Sequence, residues 1–271
     1  MTWVASRTVM PSSNVAWDIK GSVGIITFDR PTQRNALTWE MYDALVEACE
    51  AAEADRNIRV LIIRGAGGAF SAGTDIAQFK EFDGGADGVA YEKRLDAAID
   101  CIERLPLITI AEVDGVAMGG GCAIALACDL RICSDRAVFG VPVARSPGNC
   151  LSTPNTARLV DAIGVAHTRD LLLTGRSIAA EEARRIGLVT DVVPWDQLMK
   201  DVMDRAADLA TRKRSTVEAT KARLLLLRDH RRPKLSAGND IVKACYSSDD
   251  FKEGVGAFVK RDSKVRPAAT D

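Results

Sequence analysis

Two glycine-rich segments carry the clearest chemical signal in the sequence. Residues 69–76 (AFSAGTDI) follow a short apolar run that ends at Arg64, and residues 114–122 (DGVAMGGGC) follow another that ends at Val113. Glycine lets the backbone approach a ligand closely, and the free N–H groups at the start of a helix carry partial positive charge. Two such turns side by side can direct two backbone N–H groups at one oxygen atom. That arrangement is an oxyanion hole, and it requires no particular side chain.

Each glycine turn also has other interpretations. Tight packing of a helix on a strand needs glycine too, and so does a cradle for a phosphate group. The strict phosphate motifs fail, however. The sequence has no GxxxxGK[ST] string, and the stretch at residues 65–70 that resembles GxGxxG ends on Phe70.

The elements around these turns indicate an α/β fold with a helical C-terminal region. Val15–Lys20 and Val23–Phe28 are β-rich runs that flank Gly21, which predicts a hairpin. Thr38 can cap a helix whose apolar face repeats at helical spacing. Further strands are predicted at 60–63, 107–113, 130–133 and 189–193, and further helices at 89–104, 122–128, 155–163 and 168–174. From Trp195 onward only helical patterns remain.

Composition is that of an ordinary globular protein. The 271 residues are 47% apolar and 27% charged, with a formal net charge of -1, which argues against a surface built for nucleic acid or membrane. We expect a flexible N-terminus at residues 1–13, a core at 14–195 and a helical region at 196–271. Residues 212–234 are basic, but they lack interleaved aromatic side chains, so we interpret them as a solvated helix face or an oligomer contact.

Cysteine and histidine usage indicates a reduced protein without a transition-metal site. The seven cysteines are odd in number, form no CxxC pair and stand in apolar contexts, and the only histidines are His167 and His230. No run of apolar residues is long enough to span a bilayer, and we find no secretory signal. A cytoplasmic location is therefore expected.

The motifs together resemble the crotonase superfamily, the enoyl-CoA hydratases and isomerases. The matching strings stand in the family's order at 30–31 with 35–37, 68–76, 114–122, 128–142, 157–164, 171–193 and 250–258. The resemblance implies a spiral of ββα units with a helical C-terminal trimerisation region, and a homotrimer or a dimer of trimers. It also implies lyase or isomerase activity on acyl-CoA thioesters in fatty acid metabolism. Coenzyme A would enter as part of the substrate, and no permanently bound cofactor is expected.

The resemblance also assigns binding roles. The oxyanion donors fall on the N–H groups of Thr74 and Gly120. Arg34 falls near the phosphates of coenzyme A, although a solvated surface charge is the alternative for it and for Arg261. The remaining contacts to the pantetheine and adenine fall on Ala36, Ala72, Asp75, Ile76, Phe258 and Arg261, the last two from the C-terminal helix of this or a neighbouring subunit.

The usual catalytic carboxylates are missing. The two positions at which the family's hydratases carry glutamates hold Ala123 and Val143 here, and neither side chain can move a proton. Each such group contributes about 10²–10⁴ in rate, so ordinary hydration should be weak. Three polar residues in the following segment are candidates for the acyl group: Arg145 for a carboxylate on the chain or else for a surface salt bridge, Ser146, and Asn149 to orient a water.

Two functional hypotheses remain. The first is an acyl-CoA enzyme that stabilises a thioester enolate or oxyanion and uses non-standard groups for proton transfer. The second is a non-catalytic acyl-CoA binding protein that retains only the pocket. Neither hypothesis requires nucleic acid or membrane as a partner.

Overall fold

A computed structural model describes residues 8–9, 14–234 and 236–265, and of residues 8–9 and 261–265 it describes the backbone. The strands are β1 Thr8–Val9, β2 Val15–Lys20, β3 Val23–Phe28, β4 Val60–Gly65, β5 Ile108–Val113, β6 Val116–Met118, β7 Leu130–Ser134, β8 Val138–Gly140, β9 Ser177–Ala179 and β10 Asp191–Val193. The helices are α1 Trp39–Ala54, α2 Gly85–Arg104, α3 Gly120–Ala127, α4 Thr153–Thr174, α5 Ala180–Arg185, α6 Leu198–Leu209, α7 Arg214–Arg231, α8 Asn239–Tyr246 and α9 Asp249–Val265. Short 3₁₀ helices span Pro31–Gln33 and Ile76–Glu81.

The main sheet has seven strands in the order β1-β2-β3-β4-β5-β7-β10. The predicted hairpin is present, since β2 and β3 pair antiparallel, and β3, β4, β5, β7 and β10 then run parallel. The carboxyl ends of parallel strands meet at one edge of a sheet. Both glycine turns, which follow β4 and β5, therefore emerge at the same edge.

A second sheet, in the order β6-β8-β9, is absent from the sequence-based prediction. Its strands have three residues each, which is too short for a periodic pattern to show. In contrast, the two helices predicted at 155–163 and 168–174 correspond to the two halves of α4, which is interrupted at Gly164.

One hydrophobic core crosses the expected boundary at residue 195. Ile25, Ile62 and Ile110 point from the main sheet onto Val202 and Ala206 of α6. Helix α6 thus covers one face of the sheet, while α1, α2 and α3 pack on the other face in a cluster that also includes residues of α8 and α9. No helix within the described residues is long and apolar enough to cross a membrane. Most of the expected flexible segment, residues 1–13, lies outside the described residues, except that Thr8–Val9 pairs with β2.

Two basic residues of the 212–234 stretch are buried rather than solvated. Lys221 donates to the carbonyl of Leu107 at 2.7 Å and forms an ion pair with Asp129. Arg228 forms an ion pair with Glu103 of α2. The interpretation of the stretch as a solvated face is therefore wrong for these two side chains, which tie α7 to the core.

The buried side chain of Asn35 joins the turn before α1 to the first glycine turn. Its Nδ2 donates to the carbonyls of Ala66 at 2.9 Å and Ala69 at 2.7 Å, and its Oδ1 accepts from the N–H of Arg30 at 2.8 Å. Asn35 has a φ of 54°, which asparagine tolerates better than most residues. One amide thus fixes the path of the chain on both sides of β4.

We expect Asn35→Gly to lower the free energy of unfolding by roughly 3 kcal/mol, because it leaves buried backbone partners without hydrogen bonds. Glycine retains the positive φ, so the loss reports the amide alone. Arg34→Gly is the matched control, since Arg34 is exposed and has a φ of 49°. Its effect should stay below about 1 kcal/mol in urea unfolding followed by circular dichroism. Equal losses in the two variants would contradict the role of the amide.

Candidate active site

The two glycine turns are joined by backbone hydrogen bonds. The N–H of Ser71 donates to the carbonyl of Val116 at 2.9 Å, and the N–H of Met118 donates to the carbonyl of Ser71 at 2.9 Å. Ser71 also donates its hydroxyl to the carbonyl of Asn35 at 2.8 Å. The segment at 69–76 therefore lies along β6, and Thr74 comes beside Gly120.

The N–H groups of Thr74 and Gly120 point away from the backbone groups with which their neighbours in the chain form hydrogen bonds. Leu37 donates to the carbonyl of Gly73 and accepts from the N–H of Asp75, so in this parallel bridge the N–H of Thr74 points away from Leu37. Gly120 is the first residue of α3, where an N–H has no intrahelical partner. A Cβ at Gly120 would lie 2.5 Å from the Tyr42 hydroxyl, so this approach requires glycine.

Both residues line one cavity of about 100 Å³. The candidates Ala123, Val143, Ser146 and Asn149 line it as well. The structure thus brings the expected oxyanion donors, the two positions without glutamate and two of the three polar candidates to a single site.

Arg145 does not reach this cavity. Its side chain is exposed, and its aliphatic part packs over Gly175, where a Cβ would lie 2.6 Å from the Arg145 Cγ. The contact turns Arg145 toward the junction of α4 and β9. The proposed contact between Arg145 and an acyl carboxylate has no support in this geometry.

The expected coenzyme A contacts divide into two groups. Ala72 and Ile76 line the cavity, whereas Ala36, Asp75 and Phe258 do not. Asp75 accepts from Arg30 at 2.7 Å and from the N–H of Ala77 at 3.1 Å, so it holds the loop in place. The residues outside the cavity also include Arg34, which is exposed, and Arg261, whose side chain lies outside the described residues.

A chain of hydroxyl groups surrounds the Thr74 side chain. Its Oγ1 lies 2.7 Å from the Tyr42 Oη and 2.8 Å from the Tyr91 Oη. Burial raises the pKa of both phenols, which keeps them protonated. The hydroxyl of Thr74 thus has its hydrogen-bond partners in α1 and α2, and its backbone N–H remains available to the cavity.

Glu92 of α2 is the site residue that sequence reasoning missed. It lines the cavity although only 4% of its surface is exposed. Its Oε1 accepts from the Tyr246 hydroxyl at 2.7 Å and its Oε2 from the N–H of Ser152 at 2.9 Å. Burial raises the pKa of this carboxyl from an ordinary 4.5 to about 8, against the lowering effect of the two hydrogen bonds.

A sequence signal for Glu92 did exist. Glu92 precedes Leu95, Ile99 and Ile102 at the i, i+3, i+7 and i+10 spacing of a buried helix face. A glutamate at a core position of an amphipathic helix is unusual and marks a candidate functional group.

Other reactive groups lie elsewhere. Cys150 is half-buried beside Cys245, and burial raises the pKa of its thiol, which disfavours a nucleophilic role. His167 and His230 are exposed. Among the residues that the structure describes, no cluster of side chains could hold a metal ion.

Comparison with known proteins gives consistent matches. A family model described as "Enoyl-CoA hydratase/isomerase" matches residues 18–265. A probable mitochondrial enoyl-CoA hydratase from Dictyostelium discoideum is 34% identical over 251 residues, 89% of this chain and 86% of that protein. The structure of an enoyl-CoA hydratase/carnithine racemase from Magnetospirillum magneticum has a TM-score of 0.79 at 30% identity and covers 94% of each chain. That of a monofunctional enoyl CoA isomerase from M. smegmatis has a TM-score of 0.68 at 32% identity and covers 80% of this chain and 95% of the other.

The raised pKa of Glu92 predicts a pH-dependent stability. Between pH 4.5 and about 8 the unfolded carboxyl is ionised while the folded one still holds its proton, so the free energy of unfolding falls as the pH rises. Glu92→Gln removes this titration. From pH 5 to pH 8, the free energy of unfolding of Glu92→Gln should therefore rise by roughly 3 kcal/mol relative to that of the wild type, as measured by urea unfolding. Glu47→Gln, at an exposed position of α1, should follow the wild type. Parallel curves for all three proteins would contradict the assignment.

Proposed function

The chain belongs to the enoyl-CoA hydratase/isomerase family, and from that premise we propose that it is an enzyme that stabilises the enolate or oxyanion of an acyl-CoA thioester with the N–H groups of Thr74 and Gly120. One observation carries the proposal. Both residues line the same cavity, the N–H of Thr74 points away from Leu37, and the N–H of Gly120 has no partner within α3. Preorganised donors of this kind act on charge that develops in the transition state, and each contributes about 10²–10³ in rate.

The cavity favours an enzyme over a non-catalytic binding protein. Binding a thioester carbonyl requires the two N–H groups only. The buried Glu92 carboxyl in the same wall has no role in such binding, and it is costly to bury without a purpose. Because Ala123 and Val143 supply no carboxylate, the usual pair for water addition is not available.

Coenzyme A is proposed to extend from the cavity along the first glycine turn. Ala72 and Ile76 lie at the cavity wall. Asp75 precedes Ile76 in the chain, and Arg30 donates both to the Asp75 carboxylate and to the carbonyl of Ala36. Arg34 is exposed next to this path, since its carbonyl accepts from the N–H of Ala72 at 2.9 Å. We assign the phosphates to Arg34 and Arg261, and the closing contact to Phe258.

The oligomeric state is also a proposal. Leu224, Leu226 and Leu227 of α7 are large apolar side chains that are exposed in the protomer. A homotrimer or a dimer of trimers would cover such residues. The cytoplasmic location stays a prediction.

We expect a saturated acyl-CoA to bind in titration calorimetry, with an affinity that weakens as salt rises because exposed arginines contact the phosphates. Ala123→Leu fills part of the cavity and should weaken acyl-CoA binding at least tenfold while free coenzyme A binds nearly as before. Ala51→Leu, at an exposed position of α1, is the matched control and should change neither affinity. No binding of acyl-CoA at any salt concentration would remove the proposed function.

Crotonyl-CoA hydration should be slow in the unmodified protein. The oxyanion donors alone retain some catalysis, but Ala123 and Val143 cannot activate water or deliver a proton. The paired change Ala123→Glu with Val143→Glu should raise hydration more than either single change, because the two carboxylates act on one water as a unit. Loss of the ultraviolet absorbance of the conjugated thioester measures the rate. A wild-type turnover of about 10² s⁻¹ would show that other groups perform hydration.

A further inference from the structure

Three carboxylates lie on the buried side of α2, and they differ in their counter-charges. Glu103 accepts from Arg158 at 2.8 Å, Arg228 at 2.7 Å and Arg232 at 3.1 Å. Asp96 faces Arg158 at 3.6 Å. These ion pairs hold α2 against α4 and α7, which is a sufficient structural role for both acids.

Glu92 differs from the other two acids. No described lysine or arginine lies within ion-pair distance of it, and its partners are the neutral groups of Tyr246 and Ser152. A buried carboxyl without a counter-charge lowers stability, and an apolar side chain would fit the helix face better. Of the three acids, Glu92 is also the one that lines the cavity with Thr74 and Gly120.

The surroundings hold the Glu92 carboxyl in a fixed orientation. Asn149 donates its Nδ2 to the Tyr246 hydroxyl at 2.9 Å, and that hydroxyl donates to Glu92. Gly88, one turn before Glu92, makes room for the tyrosine ring, because a Cβ there would lie 2.2 Å from the Tyr246 Cγ. The carboxyl is thus set by α2, by α8 and by the segment before α4.

We propose that Glu92 is the proton-transfer residue of this site, taking a proton from the carbon next to the thioester carbonyl and returning it to the acyl chain. This inference rests on the proposed function. It names a residue outside both positions at which the family's hydratases carry glutamates, and it assigns the reaction to the relocation of a proton rather than the addition of water.

The proposed step balances within the substrate and one side chain. The ionised Glu92 takes the Cα proton, the C–H electron pair forms the carbon–carbon double bond of the enolate, and the carbonyl oxygen becomes the oxyanion between Thr74 and Gly120. In D₂O the proton on Glu92 is replaced by a deuteron from the solvent, and return of that deuteron to Cα gives hydrogen exchange at this carbon. Where the acyl chain carries a double bond between Cβ and Cγ, return of the proton to Cγ gives the conjugated thioester.

The groups that face Glu92 set its pH dependence. Burial raises its pKa, the hydrogen bonds from Tyr246 on α8 and from the N–H of Ser152 before α4 lower it, and the charge of Asp96 on α2 raises it. Tyr42 from α1 and the Cys150 thiol also lie near the carboxyl. Because the base must be ionised, the rate of α-proton removal should rise with pH through the pKa of Glu92. Tyr246→Phe removes a bond that lowers this pKa and should move the rise to higher pH.

The test measures binding and proton transfer separately. Butyryl-CoA is incubated with the protein in D₂O, deuterium at Cα is followed by mass spectrometry, and affinity is measured by calorimetry. We expect exchange by the wild type, a loss of at least about 10²-fold in Glu92→Gln and an affinity within threefold of the wild type. Glu47→Gln is the control at an exposed glutamate and should exchange normally. With 3-hexenoyl-CoA, isomerisation is followed by the rise in absorbance of the conjugated thioester. It should be fast in the wild type and Glu47→Gln and slow in Glu92→Gln.

The outcomes distinguish this inference from the function on which it rests. Butyryl-CoA binding without deuterium exchange in the wild type, or full exchange in Glu92→Gln, overturns the role of Glu92 and leaves acyl-CoA binding intact. An unshifted pH profile in an active Tyr246→Phe variant overturns the positioning of Glu92 by Tyr246. Absence of butyryl-CoA binding overturns the proposed function itself.

Discussion

The join between the first glycine turn and β6 determines the geometry of the site. Ser71 donates its N–H to Val116 of β6, accepts at its carbonyl from the N–H of Met118, and donates its hydroxyl to the carbonyl of Asn35. These bonds fix the path of the loop beside β6, and the parallel bridge between Leu37 and Thr74 then turns the N–H of Thr74 toward the cavity that Gly120 also lines. An oxyanion hole made of backbone depends on such fixed paths, because no side chain can move to correct an error in position.

The part of the cavity lining that α2 contributes depends on charge rather than on backbone. Along α2, Glu103 and Asp96 have arginine partners, whereas Glu92 has none among the side chains that the structure describes. The free energy lost by burying Glu92 is offset nearby by packing of aromatic rings: Tyr246 lies with its centroid 4.8 Å from Phe251 and 6.1 Å from Tyr91. The helices α8 and α9 therefore stabilise the region in which the unpaired acid lies.

Local patterns predicted those parts of the fold that local forces determine. The β2–β3 hairpin, the cap at Thr38 and the break of α4 at Gly164 depend on residues close in sequence. The direction of Arg145 depends on Gly175, thirty residues away, and the burial of Arg228 depends on Glu103 of another helix. The role of Glu92 could not be predicted for the same reason, since it depends on contacts between residues far apart in the sequence. Its surroundings form only when α8 and the segment at Ser152 pack against α2.

The position of Glu92 relative to the oxyanion donors gives the proposed reaction its electrostatic logic. A carboxylate with a pKa near 4.5 is a weak base toward a carbon acid, and a base with a pKa near the working pH transfers protons more effectively. Burial raises the pKa of Glu92 to about 8. When Glu92 takes a proton it becomes neutral, and the negative charge appears on the thioester oxygen beside Thr74 and Gly120. The total charge in the cavity stays constant, so proton transfer moves one negative charge from a buried carboxylate with neutral partners to an oxygen that two N–H groups stabilise.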